Sequence, residues 1–147
     1  MIKIKKIRHI CLVVSNYEKM LKFYTNVLGF IVKRNSVYVS KDLENALGVK
    51  KTQIKCSILI LENSDLEIEI TNFINSKQLT NCNKANDLGY RHIAFFVEDI
   101  NKAYTEINNL NIEIISGPVS IKAKDNLEVR VFFFKDPEGN IIELNQI

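Results

Sequence analysis

Arg8-His9-Ile10-Cys11-Leu12-Val13-Val14 returns, 83 residues on (9 to 92), as Arg91-His92-Ile93-Ala94-Phe95-Phe96-Val97. Both runs are short, apolar and β-branched or aromatic, the composition of a strand. Each carries its histidine at the same point. Each is followed by residues at helical spacing, with Tyr17 and Leu21 matched by Ile100 and Tyr104 at the same offset. A repeated histidine-bearing strand followed by a repeated helix implies a duplicated fold unit, and paired histidines imply one shared site.

Working outward from the first copy, residues 7–14 form the opening strand. Ser15 and Glu18 have the spacing of a capping box, and Tyr17, Met20, Leu21, Tyr24, Val27 and Leu28 form one apolar helical stripe. Gly29 stands where a helix ends in the left-handed conformation. Residues 30–39 read as a second strand, and residues 42–48 as a short helical turn closed by Gly48. Strands over 55–62 and 66–71 form a hairpin around Asn63-Ser64-Asp65. Residues 76–88 are polar and aperiodic, a linker. After the second copy, Asp99 caps a helix whose buried stripe is Ile100, Ala103, Tyr104, Ile107 and Leu110. A strand over 112–116 ends at Gly117-Pro118, and residues 120–127 form a charged loop. A Val- and Phe-rich strand covers 128–135. Asp136-Pro137-Glu138-Gly139 has type I turn chemistry, and the last strand covers 141–146.

The order is βαβββ twice: an α+β chain forming a single domain, with module 1 at 1–75, a linker at 76–88 and module 2 at 89–147. Four strands and one helix per half leave one sheet face uncovered. Strands of both halves are therefore expected to share one sheet or barrel, with the site on the open face.

Composition narrows the function classes. The chain has 147 residues, 46% apolar and 25% charged, with a net charge of +3. That is the balance of a globular domain able to bury a core without staples. Lys3, Lys5, Lys6 and Arg8 alternate with isoleucines and read as the solvated face of an entering strand, so no nucleic-acid partner is expected. No apolar run reaches the roughly 18 residues of a membrane span, and the N-terminus lacks a signal-peptide pattern. Cys11, Cys56 and Cys82 are dispersed and odd in number. They read as reduced, structural thiols of a cytoplasmic protein.

Alternation places His9 with Cys11 and Val13 on one strand face, and His92 with Ala94 and Phe96. Each half also ends in a strand with an embedded glutamate: Ile68-Glu69-Ile70 and Ile142-Glu143-Leu144. A carboxylate among apolar neighbours is costly to bury unless it is paired or bound to a cation. One strand histidine alone is more often a hydrogen-bonded structural residue than a ligand. The duplication gives the set His9, Glu69, His92 and Glu143, an N2O2 donor set suited to one divalent ion among Zn, Ni, Co, Mn and Fe. Glu67 shares the face of Glu69 and is the competing choice. Glu69 is preferred because it aligns with Glu143.

The chain resembles the vicinal oxygen chelate superfamily, which includes glyoxalase I (lactoylglutathione lyase), methylmalonyl-CoA epimerase, extradiol dioxygenases and fosfomycin or bleomycin resistance proteins. The resemblance spans nearly the whole chain. It rests on the His9 strand, Phe23-Tyr24-Thr25-Asn26-Val27-Leu28-Gly29-Phe30, Gly89-Tyr90-Arg91-His92-Ile93-Ala94-Phe95, and Asp136-Pro137-Glu138-Gly139-Asn140-Ile141-Ile142-Glu143-Leu144. It implies paired βαβββ modules in a U-shaped half-barrel around a divalent metal, with ligand positions at His9, Glu69, His92 and Glu143. It also implies homodimers, with the ligands drawn from one chain or from two.

The chemistry implied by the resemblance is chelation of two neighbouring substrate oxygens and stabilisation of an enediolate, with Glu69 or Glu143 as base. The expected activity is that of a metal-dependent lyase or isomerase of glyoxalase or epimerase type. An Fe(II) extradiol dioxygenase with the triad His9, His92 and Glu143 is the first alternative, and a small-molecule-binding resistance protein the second. Val13 and Phe73 depart from lactoylglutathione lyase, which has an arginine and an asparagine there, and residues 39–48 look more like cyclitol and acyl-CoA epimerase-like members. Arg34, Lys122, Lys124 and Arg130 are candidates for binding a substrate anion, and the 120–127 loop for closing over a small-molecule substrate.

Overall fold

The computed structural model describes residues 1–76, 84–122 and 128–147. The chain packs as two compact units, Met1–Leu79 and Thr80–Ile147. The first contains β1 (His9–Val13), α1 (Tyr17–Asn26), β2 (Ile31–Tyr38), α2 (Lys41–Leu47), β3 (Ile54–Ile60) and β4 (Glu67–Phe73). The second contains β5 (His92–Phe96), α3 (Ile100–Asn109), β6 (Ile114–Lys122), β7 (Glu128–Lys135) and β8 (Ile141–Gln146). Each unit forms its own four-stranded sheet, in the order β1-β4-β3-β2 and β5-β8-β7-β6. The duplication is therefore real at the level of topology, but among the described residues the ladders stay within each half instead of running through one shared sheet.

In both sheets the first strand lies parallel to the last, and the remaining pairs are antiparallel. The same backbone bonds recur where the first strand leaves the sheet. Val14 N–H donates to the Thr71 carbonyl at 2.8 Å, and Val97 N–H to the Asn145 carbonyl at 2.9 Å. A side-chain amide from the last strand secures the same corner in each half. Asn72 donates to the Val14 carbonyl at 2.7 Å and Gln146 to the Glu98 carbonyl at 2.8 Å.

One helix covers one face of each sheet. Met20, Phe23 and Tyr24 of α1 are buried with Leu59, Ile68 and Ile70. Tyr17 and the buried Ser57 hydroxyl share a 2.5 Å hydrogen bond across that interface. In the second unit Ile100 and Ile107 are buried with Phe132, Phe134, Ile142 and Leu144, and the Tyr104 and Phe132 rings meet edge to face at 5.6 Å. Burying each such side chain contributes about 1.5–3 kcal/mol. No helix among the described residues is long and apolar enough to cross a membrane.

Several local expectations are corrected. The N-cap of α1 is Asn16, whose side chain accepts from Lys19 N–H, in place of the Ser15–Glu18 box. The basic N-terminal run does not enter a strand: β1 begins at His9, and Ile2, Ile4 and Ile7 are exposed. Alternation alone, with no partner strand to pair it, was insufficient. β6 does not stop at Gly117-Pro118 but runs on to Lys122, with register shifts between Ser116 and Val119. A bulge there tolerates the missing proline N–H. Residues 123–127 of the expected loop lie outside the described residues.

The Asp136 turn forms as expected, with Gly139 N–H bonded to the Asp136 carbonyl at 3.0 Å and Gly139 at φ +84°. Asp136 is buried and accepts from the backbone N–H groups of Glu138 and Asn140, both at 2.9 Å, and from the Asn140 side-chain amide at 2.8 Å. Asp136→Ala leaves three donors to find other partners and should destabilise the protein by about 2 kcal/mol or more in urea denaturation. A change below about 0.5 kcal/mol would show that the turn holds without its carboxylate.

Candidate functional site

The ladder registers decide which side chains meet. In the first unit His9 pairs with Glu67 and Cys11 with Glu69. In the second His92 pairs with Ile141 and Ala94 with Glu143. The glutamate of interest thus lies two residues along from the histidine's ladder partner in both halves, on the same sheet face. His9 Nε2 lies 3.2 Å from Glu69 Oε2, and His92 Nε2 lies 3.2 Å from Glu143 Oε2. These faces are opposite to those carrying α1 and α3.

Glu67 and Glu69 separate by their partners. Glu67 is bound to Lys33 Nζ at 2.5 Å, and that ammonium holds its carboxyl below the usual carboxylate range. Glu69 faces the imidazole. Around it the first sheet places Cys56, whose thiol is pushed up to about 11 by burial and then by the Glu69 carboxylate beside it. Around Glu143 the second sheet places Asn145, whose amide donates to Oε1 at 3.0 Å and leaves Oε2 toward His92. The Phe133 ring stands edge to face on the His92 ring, with centroids 6.0 Å apart. His9 Nδ1 is buried without a hydrogen-bond partner among the described residues.

The donor chemistry fits a small divalent ion. Two donors bound to one ion at about 2.0–2.2 Å stand roughly 3.0–3.4 Å apart, for angles from octahedral to tetrahedral. Both His–Glu separations fall in that range. Among the described residues each half holds one such pair, and no group of three His, Cys, Asp or Glu side chains is formed.

The four candidate anion binders are placed differently. Arg34 is exposed on β2 and pairs in the ladder with Ile58, which in turn pairs with Glu69. It therefore shares a cross-strand row with the candidate ligand. Arg130 lies on the helix-bearing face of its sheet and donates to the Asn101 side chain at 2.8 Å, away from the face of His92 and Glu143. Lys122 is exposed at the end of β6, and Lys124 lies outside the described residues. Sequence reasoning missed Lys6, Arg8 and Lys33, which line a pocket with Arg34. It also missed Asn145, although an amide two residues after Glu143 on the same face was a readable signal.

The model of the Glyoxalase/Bleomycin resistance protein/Dioxygenase superfamily matches residues 6–144. The chain is 25% identical over 144 residues to the uncharacterised Escherichia coli protein YaeR, covering 98% of each. Its fold matches a Bacillus cereus glyoxalase family protein with a TM-score of 0.84 at 18% identity, covering 97% of this chain and 94% of that one. It also matches the trypanothione-dependent glyoxalase I of Leishmania major with a TM-score of 0.64 at 22% identity, covering 95% and 85%. The duplicated topology, the twice-built histidine–glutamate pair and a family match over nearly the whole sequence agree: this chain belongs to the glyoxalase/bleomycin resistance/dioxygenase superfamily.

Proposed function

We propose that the protein is a divalent-metal-dependent lyase or isomerase of glyoxalase or epimerase type, acting beside a carbonyl. The observation that carries this reading is the repetition of one donor pair, imidazole against carboxylate at 3.2 Å, at the same register in both halves. His9, Glu69, His92 and Glu143 would hold the ion. When bound, a divalent ion supplies Lewis-acid polarisation of two neighbouring substrate oxygens. The protein's own part is to orient the donors and to move a proton. Asn145 fixes Glu143 by binding its second oxygen. Glu69 or Glu143 takes the proton from the substrate carbon, a task that needs a carboxylate within hydrogen-bond reach. Phe133 beside His92 is a ring without a hydroxyl, so no phenol acid of the kind a ring-cleaving dioxygenase uses is supplied at that point.

Metal titration of the chelator-treated protein tests the ligand set. About one divalent ion should bind per chain, and His9→Ala or His92→Ala should each weaken binding by about 100-fold or more, because a direct ligand counts for at least as much as a supporting residue. Glu69→Gln should weaken it as well. Glu67→Gln, whose carboxylate belongs to Lys33, should not. Undiminished binding in both histidine variants removes the proposal.

Reaction class is read by NMR in heavy water with the Ni, Co, Mn or Zn form. The panel is 2-oxoaldehyde adducts, 2-methyl acyl-CoA thioesters and cyclitol ketones. Substrate C–H should exchange for deuterium, and Glu143→Gln should abolish the exchange. Oxygen uptake with a catechol by the Fe(II) form would replace this reading with the dioxygenase one. Tight binding of a small molecule without either reaction would replace it with a sequestering protein.

A further inference from the structure

Beside the His9–Glu69 pair the first unit contains a pocket of about 490 Å³, a small-molecule volume. Its walls include Lys6, Arg8, Lys33 and Arg34 against Asp65 and Glu67: four cations against two carboxylates, an excess of two positive charges. Ile58 contributes an apolar wall. Lys33 is neutralised by Glu67 at 2.5 Å. Arg8 and Arg34 form no salt bridge among the described residues. Like charges held around one concavity repel each other, and an anion placed among them removes that cost.

A backbone irregularity assembles this pocket. Adjacent residues of a regular strand point to opposite faces, yet Lys33 and Arg34 line the same cavity. The ladder between β2 and β3 shifts register between Val32 and Arg34, pairing Val32 with Leu59 and Arg34 with Ile58. Lys33 is the extra residue of a β-bulge, a device that re-aims side chains near functional sites. Lys6 and Arg8, alternate residues just before β1, add the other two cations. Glu67, in this pocket's wall, is the ladder partner of His9 and stands one pleat, about 7 Å along the strand, from Glu69.

We infer that this pocket takes a phosphoryl group, and that the substrate is a phosphorylated small molecule whose reacting oxygens lie about one pleat from that group. The second clause rests on the proposed substrate face of His9 and Glu69. The first does not. Two guanidinium forks, each able to grip two oxygens, match a phosphate better than a single carboxylate. A phosphate monoester is close to a dianion at pH 7, equal to the excess charge of the walls.

The test is isothermal titration of the protein as purified with inorganic phosphate, phenyl phosphate and acetate at fixed ionic strength. Both phosphates should bind saturably, at one site per chain, and at least about tenfold more tightly than acetate. Arg8→Ala and Arg34→Ala should each weaken phosphate binding about tenfold or more, and Arg34→Lys, which keeps charge but loses the fork, should fall between. Lys55→Ala, a cation paired with Glu18 outside the pocket, should leave binding unchanged. Where either arginine variant fails to fold by circular dichroism, Lys33→Ala serves in its place, with the same loss expected. Absent phosphate binding, equal affinity for acetate, or arginine variants with unchanged affinity overturns the inference. Loss in His92→Ala but not in Arg34→Ala also overturns it, because phosphate then sits on the metal. Metal content measured on the same samples separates the two readings. Phosphate binding without metal binding leaves this pocket intact and removes the proposed catalysis, and the converse removes only the pocket.

Discussion

The parallel ladder between the first and last strands of each half is the constraint on which the site depends. It sets His9 opposite Glu67 and His92 opposite Ile141, so each imidazole must lean diagonally to reach the carboxylate two residues on. In the second half nothing polar competes at Ile141. In the first half Glu67 would compete, and Lys33 removes it by taking its carboxylate. A slip of one residue in either ladder would send the glutamate to the helix-covered face and the buried isoleucines to the open one. The packing of α1 and α3 on Ile68, Ile70, Ile142 and Leu144 therefore holds the polar pairs in place as firmly as it holds the core.

Most of the topology was legible because it is written twice. The two histidine strands, the two helical stripes and the two glutamate strands each recur, and the glycine at 29, the capped turn at 42–48 and the Asp136 turn are local chemistry that needs no tertiary knowledge. What failed to show was the pairing of the sheets with themselves, since an uncovered face says that something must lie there and not what. The Gly117-Pro118 error has the same origin. Proline is a stop signal only where the ladder needs its N–H, and a bulge relieves that need.

The two histidine–glutamate pairs were legible for a similar reason, and the basic pocket was not. Strand alternation assigns Lys33 and Arg34 to opposite faces, so no reading of period two brings them together. The shift between Val32 and Arg34 does so, and it is a property of how β2 meets β3. Lys6 and Arg8 looked like the solvated edge of a strand that does not form. Arg130, equally eligible by charge, is turned to the helix side and tied to Asn101. Face, and not charge, separates Arg34 from Arg130.

The central proposal is that both histidines serve one ion. X-ray absorption at the metal edge of the Zn- or Ni-loaded protein tests it most directly, because imidazole rings give a distinct outer-shell scattering that can be counted. Two imidazoles per ion, with the remaining donors oxygen, is the predicted result. One imidazole or none, or a sulfur donor from Cys11 or Cys56 in the first shell, contradicts it.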